Sequence, residues 1–223
     1  MYERLKDAVK RGEPIVKNNR EITTNTKDKE TAKESTLTKK DRIISEASGW
    51  AIIIGIALIL ATLINEFILL KAKVISGSML DTMRVDDEYL GDRLSYVFGD
   101  PERGEIVFFK YPDNEKETFV KRIIGLPGEK LEVRKGKIYI NDSPEPLVEP
   151  YLKETPKKDN FGPVIIPDDC YFMMGDNRNH SSDSRAWDTF YVKREQILAK
   201  AWLRIWPLFS FSLVEHHDYN NPG

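Results

Sequence analysis

Hydrophobic and polar positions fall into three regimes along the 223 residues of the chain. Residues 1–46 are polar, rich in Lys, Glu, Thr and Asn and poor in aromatics, as in "NNREITTNTKDKETAKESTLTKK". Such a stretch buries too little apolar area to offset the entropy of ordering, so the pattern predicts a disordered tail, with transient helix at most where "MYERLKDAVKR" has helical spacing. The pattern then inverts. "ASGWAIIIGIALILATLIN", Ala47–Asn65, carries no charge for 19 residues, and Phe67-Ile68-Leu69-Leu70 follow the single Glu66. A helix over 47–70 rises roughly 36 Å, enough to cross a hydrocarbon core of about 30 Å. Few soluble helices are apolar on every side at this length. The long polar stretch before the run, and the lack of a small-x-small site after it, argue against a cleaved leader. The expectation is one membrane-crossing anchor.

Residues 71–223 change texture again. "GEIVFFKY", "ETFVKRIIG", "EKLEVRKGKIYIND" and "DDCYFMMGD" are short runs rich in Val, Ile, Phe and Tyr, punctuated by Gly, Pro, Asn and Asp. They predict many short strands joined by turns, with Arg134-Lys135-Gly136-Lys137 as a hairpin turn. "YVKREQILAKAWLRIW" has helical spacing but reads equally well as a strand. No long helices alternate with the strands, so the fold class is mainly β: an antiparallel domain over 71–223, tethered by the helix at 47–70.

Composition removes several functions. A net charge of −2 and a pI near 6.0, without a basic stripe carrying interleaved aromatics, give no footprint for nucleic acid. The one cysteine, Cys170, opens the apolar run Cys170–Met174 and reads as a small buried hydrophobe. His180, His216 and His217 have no zinc-site spacing, so neither a metal nor another cofactor is expected.

Three stretches carry candidate chemistry. Ser76-Gly77-Ser78-Met79 sets two hydroxyls around a glycine just after the apolar run. Taken alone it is a turn, since Ser and Gly are turn formers. In "FVKRIIGLPGE" Lys121 and Arg122 lie inside an apolar strand and point to opposite faces, so one of them must be accommodated in the interior. A lysine desolvated there loses basicity, because burial disfavours the charged amine. "MGDNRNHSSDSRAWD", Met174–Asp188, packs short hydrogen-bonding side chains between apolar residues and reads as a polar network around a site. A serine needs an adjacent base to attack at neutral pH, and a neutral lysine can supply one. Together these stretches suggest a serine–lysine dyad.

With those residues in view, the chain resembles the type I signal peptidases, membrane-bound serine peptidases that remove signal peptides from exported proteins. Four blocks match in order behind the anchor: Ser76–Met79, "RGEIVFF" at Arg103–Phe109, "KRIIGLPGE" at Lys121–Glu129 and "GDNRNHSSDSR" at Gly175–Arg185. The resemblance spans roughly residues 47–207. It implies a partial-barrel β domain and a Ser78 nucleophile with Lys121 as general base. Ser76 and the backbone of Ser78 then form the oxyanion hole, and Ser181, Asp183 and Arg185 support the site. The implied partners are secretory preproteins cut after an A-x-A-like site, together with membrane lipid. The implied location is the cell membrane of a bacterium, crossed once. Lys39, Lys40 and Arg42 before the span favour a cytoplasmic N-terminus and an extracytoplasmic catalytic domain, although Lys71 and Lys73 follow it.

The chain departs from the family pattern at three points. Asp81 stands where proline is usual, His180 where asparagine is common, and Asp188 where glycine is frequent. Asp81 is expected to raise the pKa of Lys121. Three alternatives compete with the peptidase. A self-cleaving repressor would carry a DNA-binding helix-turn-helix and no anchor. A membrane-anchored inactive homologue would act as a binding or scaffold module, and a soluble enzyme would hold a merely greasy helix.

Overall fold

The computed structural model describes residues 24–219, and the chain divides after Ile59 into two compact units. Helix α1 runs over Thr24–Leu63 and passes into a π-helical turn at Ile64–Ile68. This differs from the sequence expectation at both ends. Residues 24–46, expected to be disordered, are helical, while residues 1–23 lie outside the described residues. Once an apolar segment has nucleated a helix, each added residue gains one backbone bond, and Lys, Glu and Ala propagate it well. An i,i+4 pair, Arg42 to Glu46 at 3.1 Å, adds to this. At the other end Leu69 turns extended (φ −110°, ψ 146°), so Leu69 and Leu70 open a strand instead of closing the helix. Among the described residues Thr38–Ile68 is the one helical stretch long and apolar enough to cross a membrane, and the protein buries none of its apolar window.

The second unit is mainly antiparallel β. Its strands are β1 (Leu69–Lys73), β2 (Glu88–Asp92), β3 (Ile106–Tyr111), β4 (Asn114–Gly125), β5 (Lys130–Arg134), β6 (Lys137–Ile140), β7 (Phe161–Ile165), β8 (Cys170–Met174), β9 (Val192–Lys193), β10 (Ile197–Trp206) and β11 (Ser212–Leu213). The main sheet has the order β1-β2-β10-β3-β4-β8-β9, with β11 on β10, and the order β6-β5-β7 makes a second, smaller sheet. The turn at 134–137 closes the β5–β6 hairpin as expected, and the ambiguous segment before Trp206 is strand β10. Cys170 packs, half-buried, against the core between β8 and the small sheet.

Period-2 alternation distributes the core. Ile106 and Phe108 of β3 join Val74, Met79, Met83, Tyr89 and Ala199 on one face, while Val107 and Phe109 join Ile123, Met173 and Trp187 on the other. A strand buried on both faces has no polar side to alternate with, which is why "EIVFF" reads as an unbroken apolar run.

Candidate active site

A cleft of about 800 Å³ opens between β1 and β4, and Ser76, Ser78, Lys121 and Ser182 line it together with Ile75 and Phe119. Two free sheet edges flank it. β1 ends the strand order, and β8 pairs with β4 only from Arg122 onward, which leaves one side of Asn114–Lys121 unpaired. Four antiparallel steps separate β1 from β4, so the two edges run in the same sense.

Ser78 sits in a short 3-10 turn, Gly77–Met79, which β1 delivers through the extended residues that follow it. Met79 and Met83, both fully buried, pin the turn to the core, and Met83 N–H donates to Met79 O at 2.7 Å. From the far side Asn177 holds it twice: its backbone N–H donates to Ser78 O at 3.0 Å and its Nδ2 to Gly77 O at 2.9 Å. Gly175 lies so close that a Cβ there would overlap Ser78 O and Ser181 Oγ, so this approach requires glycine. Ser76 Oγ lies 3.4 Å from Ser78 Oγ.

Lys121 and Arg122 are both buried, on opposite faces of β4. Lys121 is 3 % exposed, and the Tyr111 and Phe119 rings stack at 4.4 Å beside it, with Trp187 packed on Phe119 at 6.1 Å. Burial lowers the Lys121 amine to about 8, against the opposing pull of Asp183 and Asp176. Its Nζ donates to Val120 O at 3.3 Å, and among the described residues no hydrogen bond joins it to Ser78 Oγ.

Arg122 reaches the polar loop instead. It forms a bidentate pair with Asp176 at 2.8 and 2.7 Å, donates to Gly104 O at 2.6 Å and lies 4.0 Å from the centre of the Tyr151 ring. Asp176 also accepts from Thr82 Oγ1 at 2.5 Å, which ties this network to the segment after the Ser78 turn. Asp183 is fully buried. Burial alone would raise its carboxyl, but Arg185, donating at 2.8 and 2.9 Å, and the Gly175 N–H outweigh burial and hold it below the usual carboxylate range.

The sequence-selected residues Ser76, Ser78 and Lys121 therefore share one cleft, with the Asp183–Arg185 pair behind them. Ser181 lies against Gly175, and its hydroxyl faces the Asp183 carboxyl, which it helps to hold low. Sequence reasoning passed over Asn177, Asp176 and Thr82, which clamp the Ser78 turn and the segment after it, and Ser182, which lines the cleft. The first two stand in the block "GDNRN", whose density of short polar side chains was the available signal. Asp81 is exposed and is not among the carboxylates acting on Lys121, so the expected effect of that departure on the lysine finds no support. His180 is exposed and outside the cleft lining, and Asp188 uses its backbone N–H to reach Asp113 at 3.0 Å.

Comparison with known proteins identifies the family. The model of the family described as signal peptidase, peptidase S26, matches residues 47–206. The chain is 41 % identical over 157 residues to the probable signal peptidase I-2 of Synechocystis sp., covering 68 % of this chain and 70 % of that protein. It is 38 % identical over 162 residues to signal peptidase I of Leptolyngbya laminosa, covering 70 % and 77 %. It is also 38 % identical over 160 residues to signal peptidase I of Bacillus amyloliquefaciens, covering 68 % and 84 %. A match that spans the chain from the apolar helix to the last residue of β10, and so takes in both walls of the cleft, settles the relationship: the chain belongs to the peptidase S26 family of signal peptidases.

Proposed function

We propose that this chain is a membrane-anchored serine endopeptidase that removes signal peptides from exported preproteins, with Ser78 as nucleophile and Lys121 as general base. The observation that carries the reading is a serine on a clamped turn and a desolvated lysine in one cleft between two free strand edges. A lysine at about 8 is neutral in about a tenth of molecules at pH 7, against roughly one in 3,000 at its ordinary value. Neutral Lys121 takes the Ser78 proton as Oγ attacks the scissile carbonyl carbon. The Ser78 N–H and the Ser76 hydroxyl stabilise the oxyanion. Lys121 then gives the proton to the leaving amine, which departs as the new N-terminus of the mature protein. Water, deprotonated by the same lysine, hydrolyses the acyl-enzyme and frees Ser78. Asp183, Arg185 and Ser181 support the base from behind.

An extended substrate adds as a strand between β1 and the 117–121 edge, so that alternate side chains enter the cleft, which fits small residues at the −1 and −3 positions of an A-x-A site. The apolar helix crosses the bilayer once, residues 1–46 stay cytoplasmic and residues 71–223 lie outside. The positive residues ahead of the span support this orientation. Leu208, Phe209 and Phe211, 72 %, 91 % and 63 % exposed, form an apolar surface suited to lipid contact.

The test is processing of a preprotein by the full chain in lipid vesicles, with the new N-terminus read by mass spectrometry. Cleavage directly after A-x-A, blocked when the −1 alanine becomes leucine, is the expected result; a folded chain that cuts nothing, or cuts elsewhere, overturns the reading. Within it, Ser76→Ala is expected to lower kcat about 10²–10³-fold, the usual cost of one oxyanion donor, with KM little changed. Steady-state kinetics check this, and a rise confined to KM would remove Ser76 from the oxyanion hole.

A further inference from the structure

Beyond β11 the described residues, up to Tyr219, stay on the β domain. Val214 N–H donates to Trp202 O at 2.9 Å, and the Val214 side chain packs on the core cluster that holds Met79 and Met83. Two residues on, His216 enters the main sheet. The register of β3 with β10 reaches Lys200↔Val107, and the His216 ring bridges the next two residues. Its Nδ1 accepts from Ile106 N–H at 3.0 Å, which places the ring proton on Nε2, donating to Ala201 O at 2.8 Å. One neutral imidazole thus supplies an extra rung where the two strands part. Burial lowers its pKa to about 4, so the ring stays neutral and makes both bonds at working pH.

The residues after it close on Arg122. His217 N–H donates at 3.3 Å to Gly104 O, the same oxygen that accepts from Arg122 at 2.6 Å. Gly104 has φ +91°, and a Cβ there would overlap the His217 carbonyl, so the segment seats only over glycine. Tyr219 OH lies 3.3 Å from the hydroxyl of Tyr151, whose ring stacks against the Arg122 guanidinium. Arg122 in turn pairs with Ile106 in the β3–β4 ladder, adjoins Lys121 along β4 and holds Asp176, the acceptor for Thr82. Residues 207–219 lie beyond the segment that the family model matches.

We propose that Val214–Tyr219 is a positioning strap in which His216 and Tyr219 act as positioning residues, holding β3 and Arg122 so that the base and the nucleophile turn keep their mutual geometry. This rests on the Ser78–Lys121 reading. Neither residue touches substrate; both act through Ile106, Gly104 and Tyr151. Small displacements of a reacting pair cost rate out of proportion to their size, and substrate binding along the free edges does not pass through the strap.

Full-length wild type, His216→Leu, His216→Gln and Tyr219→Ala are compared for kcat, KM and melting temperature on one A-x-A preprotein in vesicles. Leucine fills the volume without hydrogen bonds, whereas glutamine offers one acceptor and one donor to the same two backbone groups. The expected result is a kcat about tenfold lower at unchanged KM for His216→Leu and Tyr219→Ala, with His216→Gln recovering most of the loss. Variants that melt lower yet turn over at the wild-type kcat, or that change KM alone, overturn the proposal. If His216→Leu does not fold, the Tyr219→Ala kcat decides alone. Failure of wild type to cleave would instead strike the dyad reading, so the two failures are distinguishable.

Discussion

Lys121→Met is expected to abolish cleavage while making the protein more stable at neutral pH. Methionine matches the lysine stem in volume and leaves no amine to desolvate, at a position that is 3 % exposed. The lysine is lowered from 10.5 to about 8, so between those values the unfolded chain binds the proton that the native state rejects. The penalty is therefore complete below pH 8, where it amounts to about 3 kcal/mol, and it fades as pH rises toward 10.5. Unfolding midpoints should place the variant above wild type at pH 7 and close to it near pH 10.5. Turnover should fall by at least the roughly 10²–10⁴ that a positioned base contributes. The wild-type rate should climb as pH rises through about 8, where the amine becomes neutral. A methionine variant no more stable than wild type at pH 7 would mean that Lys121 is not held desolvated, and the case for it as the base would fall with that.

Asp176→Ala should be among the most destabilising single changes in the second unit. It leaves the Arg122 guanidinium, 1 % exposed, without its bidentate carboxylate and removes the acceptor of Thr82. Breaking one side of a buried pair costs about 3–5 kcal/mol, or roughly 6–20 °C in melting temperature for a domain of this size. Removing both partners, as Arg122→Met with Asp176→Leu, should restore much of that loss, because no buried charge is then stranded. Denaturant titrations of the two single variants and the double variant read the coupling directly. A single variant within 1 kcal/mol of wild type would show that water enters to solvate Arg122.

Much of this was legible in residue order, and the reasons are local. Strands β3, β4 and β8 announce themselves because apolar runs bounded by turn residues leave few alternatives. Lys121 was found because a lysine inside an apolar strand is anomalous, whereas Ser76 and Ser78, which read alone as a turn, were picked out by the ordered blocks around them. Arg122 was harder. Alternation requires it to face away from Lys121, but it does not disclose that the opposite face is also interior, lined by Gly104, Tyr151 and Asp176. Thr82, Asn177 and His216 escaped for one shared reason: their partners lie 94, 100 and 110 positions away along the chain, and no periodicity encodes a contact at that separation. The extent of α1 was misjudged because composition ranks a polar segment by what it can bury, whereas a helix already nucleated next door extends at little cost.

The passage from Ile68 straight into β1, with no linker between, leaves little slack ahead of Ser78. Ten positions separate Ile68 from Ser78, at most about 35 Å of chain, and five of them are fixed in a paired strand. On the proposed anchoring, so short a tether bounds how far along the chain Ser78 can stand from the end of the apolar helix. A small-x-small site held beyond that reach is then expected to go uncut however well its residues fit the cleft.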